Sequence, residues 1–116
     1  GLEDVVQAWI RSGGDVDARE PDHGCTMLMA ASSKGQLKMV KLLLRKGTKV
    51  NLQNYFGMSA LSYAAFHGSL DVARTLLREG ADAFSRDVSG TSALEWAKLK
   101  NHESMFLQLR DFKAKS

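Results

Sequence analysis

A single cysteine, Cys25, is the whole thiol complement of these 116 residues. It excludes an internal disulfide and suits a reducing compartment. No apolar run approaches the roughly 20 residues of a membrane-spanning helix, and no signal peptide is visible. Short signatures of catalysis are missing as well: there is no phosphate-binding glycine loop, no Gly-x-Ser-x-Gly elbow and no cysteine pair for zinc. His23, His67 and His102 stand 44 and 35 residues apart, without metal-ligand spacing. His102-Glu103 lacks the second histidine of a zinc-protease helix. Cys25 has His23 nearby in sequence, but a free thiol on a turn is the simpler reading, and Gly13-Gly14 reads as a helix stop. No catalytic residue, metal or cofactor is expected.

What the chain does have is a period. Gly24, Gly57 and Gly90 are each 33 residues apart, and each opens the same pattern. The first copy runs Gly24-Cys25-Thr26-Met27-Leu28-Met29-Ala30-Ala31, the second Gly57-Met58-Ser59-Ala60-Leu61-Ser62-Tyr63-Ala64, the third Gly90-Thr91-Ser92-Ala93-Leu94-Glu95-Trp96-Ala97. Between 24–56 and 57–89, nine of 33 positions are identical. A repeat of this length marks a stack of short helical units. A solenoid of this kind offers an extended side for binding rather than a closed pocket. The hydrophobic fraction of 44% is enough for one domain with a core.

The period divides the chain into a half repeat and finger (1–23), two repeats (24–56 and 57–89), a C-terminal capping repeat (90–112) and a polar tail (113–116). The chain opens inside a unit and without Met, which points to a longer parent protein. Seven helices are expected, near 2–12, 26–33, 37–46, 59–66, 70–79, 92–99 and 102–112. Thr26, Ser59 and Ser92 would cap the first helices through their hydroxyls. Gly35, Gly68, Gly47 and Gly80 would end helices in the left-handed conformation, with Asn101 in the third mid-unit place. Leu37, Val40, Leu43 and Leu44 share one helix face, as do Leu70, Ala73, Leu76 and Leu77. Trp9, aligned with Leu43 and Leu76, should be largely buried. Gln108 and Arg110 put polarity into the last apolar helix, as a terminal cap requires.

These units resemble ankyrin repeats. The turn glycine, the Thr-x-Leu core with its paired alanines, the mid-unit glycine, the leucine-rich second helix and Gly14-Asp15-Val16-Asp17 or Gly80-Ala81-Asp82-Ala83 all follow that pattern. Two family positions differ: Met27, Ala60 and Ala93 replace proline, and Met29, Ser62 and Glu95 replace histidine. Below-average stability is the consequence expected. The resemblance implies an all-α solenoid of helix-turn-helix units joined by β-turn fingers. It also implies that Phe84, where family asparagines join adjacent fingers, weakens its junction.

Ankyrin repeats usually hold partners on the finger tips and the exposed side of each first helix. Carried onto this chain, those positions are Tyr55, Phe56, Met58, Phe66 and His67 in the middle unit. Arg19, His23 and Lys34 flank them on one side, and Arg86, Val88, Leu99 and Lys100 on the other. Large aromatic side chains dominate interface energetics. The expected role is a non-enzymatic protein–protein interaction module for a protein or peptide partner, monomeric as an isolated domain and intracellular, cytoplasmic or nuclear. The alternative is an electrostatic adaptor for acidic phospholipid or nucleic acid. It would use a basic ladder on the second helices, Arg11–Arg45–Arg78 with Lys41 and Arg74, on a chain of net charge +3. Asp71 and Glu79 dilute that ladder and no aromatics interleave with it, which argues against nucleic acid and membrane.

Overall fold

The computed structural model describes residues 2–115, the last three by backbone alone. Gly1, Ser116 and the side chains of 113–115 lie outside the described residues, so the polar tail is described only in part. Seven α-helices are found within that range: α1 (Leu2–Arg11), α2 (Met27–Ser33), α3 (Leu37–Arg45), α4 (Ala60–His67), α5 (Leu70–Arg78), α6 (Ala93–Leu99) and α7 (Glu103–Lys115). The architecture is the all-α solenoid that the period predicts, with α7 running past the expected end at 112.

The helix boundaries follow from side-chain chemistry. The Thr26 Oγ1 accepts from the Met29 N–H at 3.3 Å, and Ser59 Oγ from Ser62 N–H at 3.2 Å. Ser92 adds a full capping box, because the Glu95 carboxylate reaches back to the Ser92 N–H at 3.3 Å. Gly68 closes α4 at φ 77°, a conformation that a Cβ disfavours. Asn101 takes the same left-handed role at φ 60°, a region in which Asn is enriched among non-glycine residues.

The units stack through their first helices. Ala31, Ala64, Ala65 and Ala97 are buried there, so α2, α4 and α6 approach closely, while α3, α5 and α7 pack more loosely. The first helices, together with the fingers, form the inner side of the stack. Val40, Leu42, Leu43, Leu61, Val72, Leu76, Met105 and Leu109 fill one continuous core between the two layers. In α7, Met105 and Leu109 supply that core, while Arg110 is exposed where Leu77 is buried in the preceding unit.

One expectation is corrected. Trp9 is 40% exposed, not buried like Leu43 and Leu76. No helix precedes α1 among the described residues, and the indole lies against the small Gly14, where an added Cβ would meet it at 2.3 Å. Phe84 is half-buried against the core at the end of the stack, in a surface hollow lined also by Leu77, Leu109 and Phe112.

Candidate partner-binding surface

Each finger is a tight turn built by one polar side chain. In the second, Asn54 Oδ1 accepts from the N–H groups of Phe56 (3.0 Å) and Met58 (2.9 Å). In the third, Asp87 Oδ1 accepts from Ser89 (2.9 Å) and Thr91 (3.0 Å). The first finger is one residue longer, and its acceptor is one methylene longer. Glu20 receives the N–H groups of Asp22 (2.8 Å), His23 (2.7 Å) and Cys25 (3.2 Å).

The same side chains tie fingers to first helices. Asn54 Nδ2 donates to the Tyr63 hydroxyl at 2.8 Å, and the Trp96 indole N–H donates to Asp87 Oδ2 at 2.9 Å. Direction reverses because an amide can donate to a phenol, whereas a carboxylate only accepts and an indole only donates. Cys25 sits half-buried beside this tie, with its Sγ 3.4 Å from Asn54 Nδ2.

Burial pushes the Asp87 carboxyl up, but the Ser89 hydroxyl, the Thr91 N–H and the Trp96 indole outweigh it and hold the group below its ordinary value. Glu20 likewise feels burial upward and its three backbone N–H groups downward, with a net lowering. A folded pKa below the unfolded one stabilises the protein above the ordinary carboxylate range, and that contribution is lost as pH falls through the folded pKa. The melting temperature is therefore expected to fall as pH drops below about 4. The Glu20→Gln/Asp87→Asn double variant should start lower at neutral pH and show a shallower acid slope, measured by circular-dichroism melts across a pH series.

Long donors then lock finger to finger. Arg19 Nη1 donates to the carbonyls of Gly24 (2.9 Å) and Gln53 (2.6 Å), and Gln53 Nε2 to those of Gly57 (2.9 Å) and Arg86 (3.3 Å). Arg86 Nη1 donates to the Gly90 carbonyl at 3.1 Å and lies 3.7 Å from the Glu95 carboxylate. Backbone links repeat the pattern: the Tyr55 N–H donates to the His23 carbonyl and the Val88 N–H to the Phe56 carbonyl, both at 2.9 Å. Gly57 sits where the third finger crosses. A Cβ there would lie 2.8 Å from the Asp87 Cα.

On this frame the tips carry apolar groups. Tyr55 is 60% exposed, with one edge of its ring on Gly24, and Phe56 is 49% exposed, with its ring centroid 5.7 Å from that of His23. Val88 is exposed beside them and Met58 is half-buried. A second group forms on the first helices. Phe66 is half-buried, edge-on to Trp96 at 5.1 Å and to His67 at 5.0 Å, with the Lys100 Nζ 4.4 Å above its ring. The Phe66 carbonyl lies 3.0 Å from His102 Nε2, and Leu99 and Lys34 are exposed along the same helix ends. Among the described residues no ring contact joins the two groups.

A family profile described as "Ankyrin repeats (3 copies)" matches residues 1–87. The chain belongs to the ankyrin-repeat family. This ankyrin-repeat chain is 41% identical over 64 residues to the B-cell lymphoma 3 protein homolog of Mus musculus, a match covering 55% of this chain and 14% of that protein. It is 38% identical over 56 residues to protein phosphatase 1 regulatory subunit 12B of Homo sapiens, covering 48% of this chain and 6% of that one. It is also 38% identical over 64 residues to ankyrin repeat and KH domain-containing protein 1 of Homo sapiens, covering 54% and 2%. The chain thus spans a small fraction of these relatives. Ankyrin repeats are a general protein-interaction module and in general not catalytic. No described helix is long and apolar enough to cross a membrane.

Three parts of the ankyrin surface were not foreseen from sequence. Trp96 supports Phe66 from the next unit, His102 holds the Phe66 carbonyl, and Arg19, Gln53 and Arg86 are finger locks as well as surface groups. The lock had a visible signal: a long hydrogen-bond donor precedes each turn glycine by four or five residues.

Proposed function

We propose that this chain is a non-enzymatic binding module whose inner side, formed by finger tips and first helices, docks a protein or peptide partner. The observation that carries the reading is the exposure of Tyr55 and Phe56 on fingers that hydrogen bonds fix in place. Aromatic side chains held rigid and left uncovered cost little ordering entropy on binding, and a central position lets the surrounding contacts exclude water. Arg19, His23 and Arg86 border the tips, while Phe66, His67, Leu99 and Lys100 continue the face.

The second reading uses the basic ladder on the opposite side. Lys41, Arg45, Arg74 and Arg78 are exposed, and Lys41, Arg45 and Arg78 line a shallow groove floored by Leu44 and Thr75. Glu79 lines the same groove and lowers its field. The two readings separate by mutation of a partner complex obtained by affinity capture and mass spectrometry. Tyr55→Arg should weaken the purified complex by at least about tenfold, whereas reversing all four ladder residues to Glu should change affinity only a few fold. A hundredfold loss on reversal, with a steep salt slope in the wild type, would transfer the function to the outer face.

A further inference from the structure

The 33-residue period sets one row of nitrogen bases along the inner face. Lys34, His67 and Lys100 occupy equivalent places at the ends of α2, α4 and α6, and all three are exposed. The neighbouring row is Ser33, Phe66 and Leu99. On this side Glu20 and Asp87 are committed to finger N–H groups and Glu95 to Ser92 and Arg86, while Asp22 stands exposed on the first finger tip. No ion pair is found at Lys34, His67 or Lys100 within the described residues; Lys100 and His67 face only the Phe66 ring.

Spacing along the row is set by the stack. The row lies on α2, α4 and α6, which pack side by side, at the roughly 8–10 Å interaxial distance of packed helices. One unit is therefore close to one turn of a polyproline II helix, three residues at about 3.1 Å each, which returns every third side chain to the same face. We infer that the inner face selects an acidic segment in the polyproline II conformation, with a carboxylate at every third residue and an apolar side chain beside it. Each carboxylate would meet one rung of Lys34–His67–Lys100, and the apolar side chains would lie on Phe66 and Leu99. The inference rests on the inner-face reading above and specifies the chemistry of its partner.

A cation at a helix C-terminus also offsets the helix dipole, so a purely structural role must be separated from recognition. The test uses a fluorescein-labelled peptide of repeated Glu-Leu-Ser units, a peptide of identical composition with its glutamates contiguous, and a single-stranded DNA oligonucleotide. Binding is followed by fluorescence anisotropy, and a melt is recorded for every variant. The repeated peptide should bind at least about fivefold tighter than the contiguous one, and Lys34→Glu and Lys100→Glu should each weaken it roughly three- to tenfold. Lys34→Gln and Lys100→Gln should give smaller losses with melting temperatures unchanged. Equal affinity for the two peptides, or tighter binding of the oligonucleotide, overturns the inference. Weakening by Tyr55→Ala with no response to either reversal keeps the partner on this face and removes the charged row. Indifference to all three changes removes both.

Discussion

Replacing Leu43 by Ala is expected to cost about 2–5 kcal/mol, the range for emptying a fully buried leucine site. Leu43 sits in α3 with no exposed surface, inside the core that runs between the two helix layers. Helix α3 packs on α2 of its own unit and on α5 of the next, so the cavity cannot collapse without shifting the stack. The loss is large against the 5–15 kcal/mol of an ordinary domain. Met27, Ala60 and Ala93 at the family's proline positions leave less margin. Urea titration should show a lower midpoint with an unchanged slope, and the transition should remain single. Leu44, half-buried on the outer side of α3, supplies the control: Leu44→Ala should cost distinctly less. Equal costs at the two sites would mean that the α3 face has been assigned wrongly.

Much of the architecture was legible because each signal is local and repeated. A hydroxyl before an apolar run becomes a cap wherever the next N–H groups are free, so Thr26, Ser59 and Ser92 could be read without tertiary information. The leucine faces of α3 and α5 follow from helical spacing alone. Trp9 failed for the opposite reason. Alignment gives it the place of Leu43, but burial depends on what stands in front of the helix, and no helix precedes α1 among the described residues. Finger chemistry was legible only in outline. The extra residue before Gly24 was visible as an irregular spacing. That Glu20 compensates for it with a longer side chain needed the hydrogen bonds.

The candidate surface divides along the same line. Family pattern placed Phe56 and Phe66 at variable, outward positions, and pattern cannot say what a neighbouring unit covers. In the structure Phe56 stands on a finger tip beside His23, whereas Phe66 is wedged against Trp96 and roofed by Lys100. The difference arises because Trp96 stands where the first unit has Ala30. A large ring in the third unit reaches the second, and a methyl group would not.

That division shapes what truncation should do. Tyr55→Ala and Phe56→Ala should each weaken partner binding by about 2 kcal/mol or more while leaving the melting temperature nearly unchanged, because both rings are largely exposed. Phe66→Ala should weaken binding and also lower the melting temperature, since it removes the edge contact with Trp96 and the ring beneath Lys100. Changes at Val88 should cost under about 1 kcal/mol of binding, as expected at a solvated rim. Arg19 and Arg86 are poor rim controls, because their guanidinium groups hold the Gly24 and Gly90 carbonyls and their loss would loosen the fingers. Each variant therefore needs two measurements: a thermal melt, and the affinity for the purified partner by calorimetry. If Phe66→Ala lowers the melting temperature while Tyr55→Ala and Phe56→Ala leave affinity intact, the aromatics serve the stack and the partner docks elsewhere. If the two finger variants lose affinity at unchanged stability, the finger tips are the energetic centre of the surface.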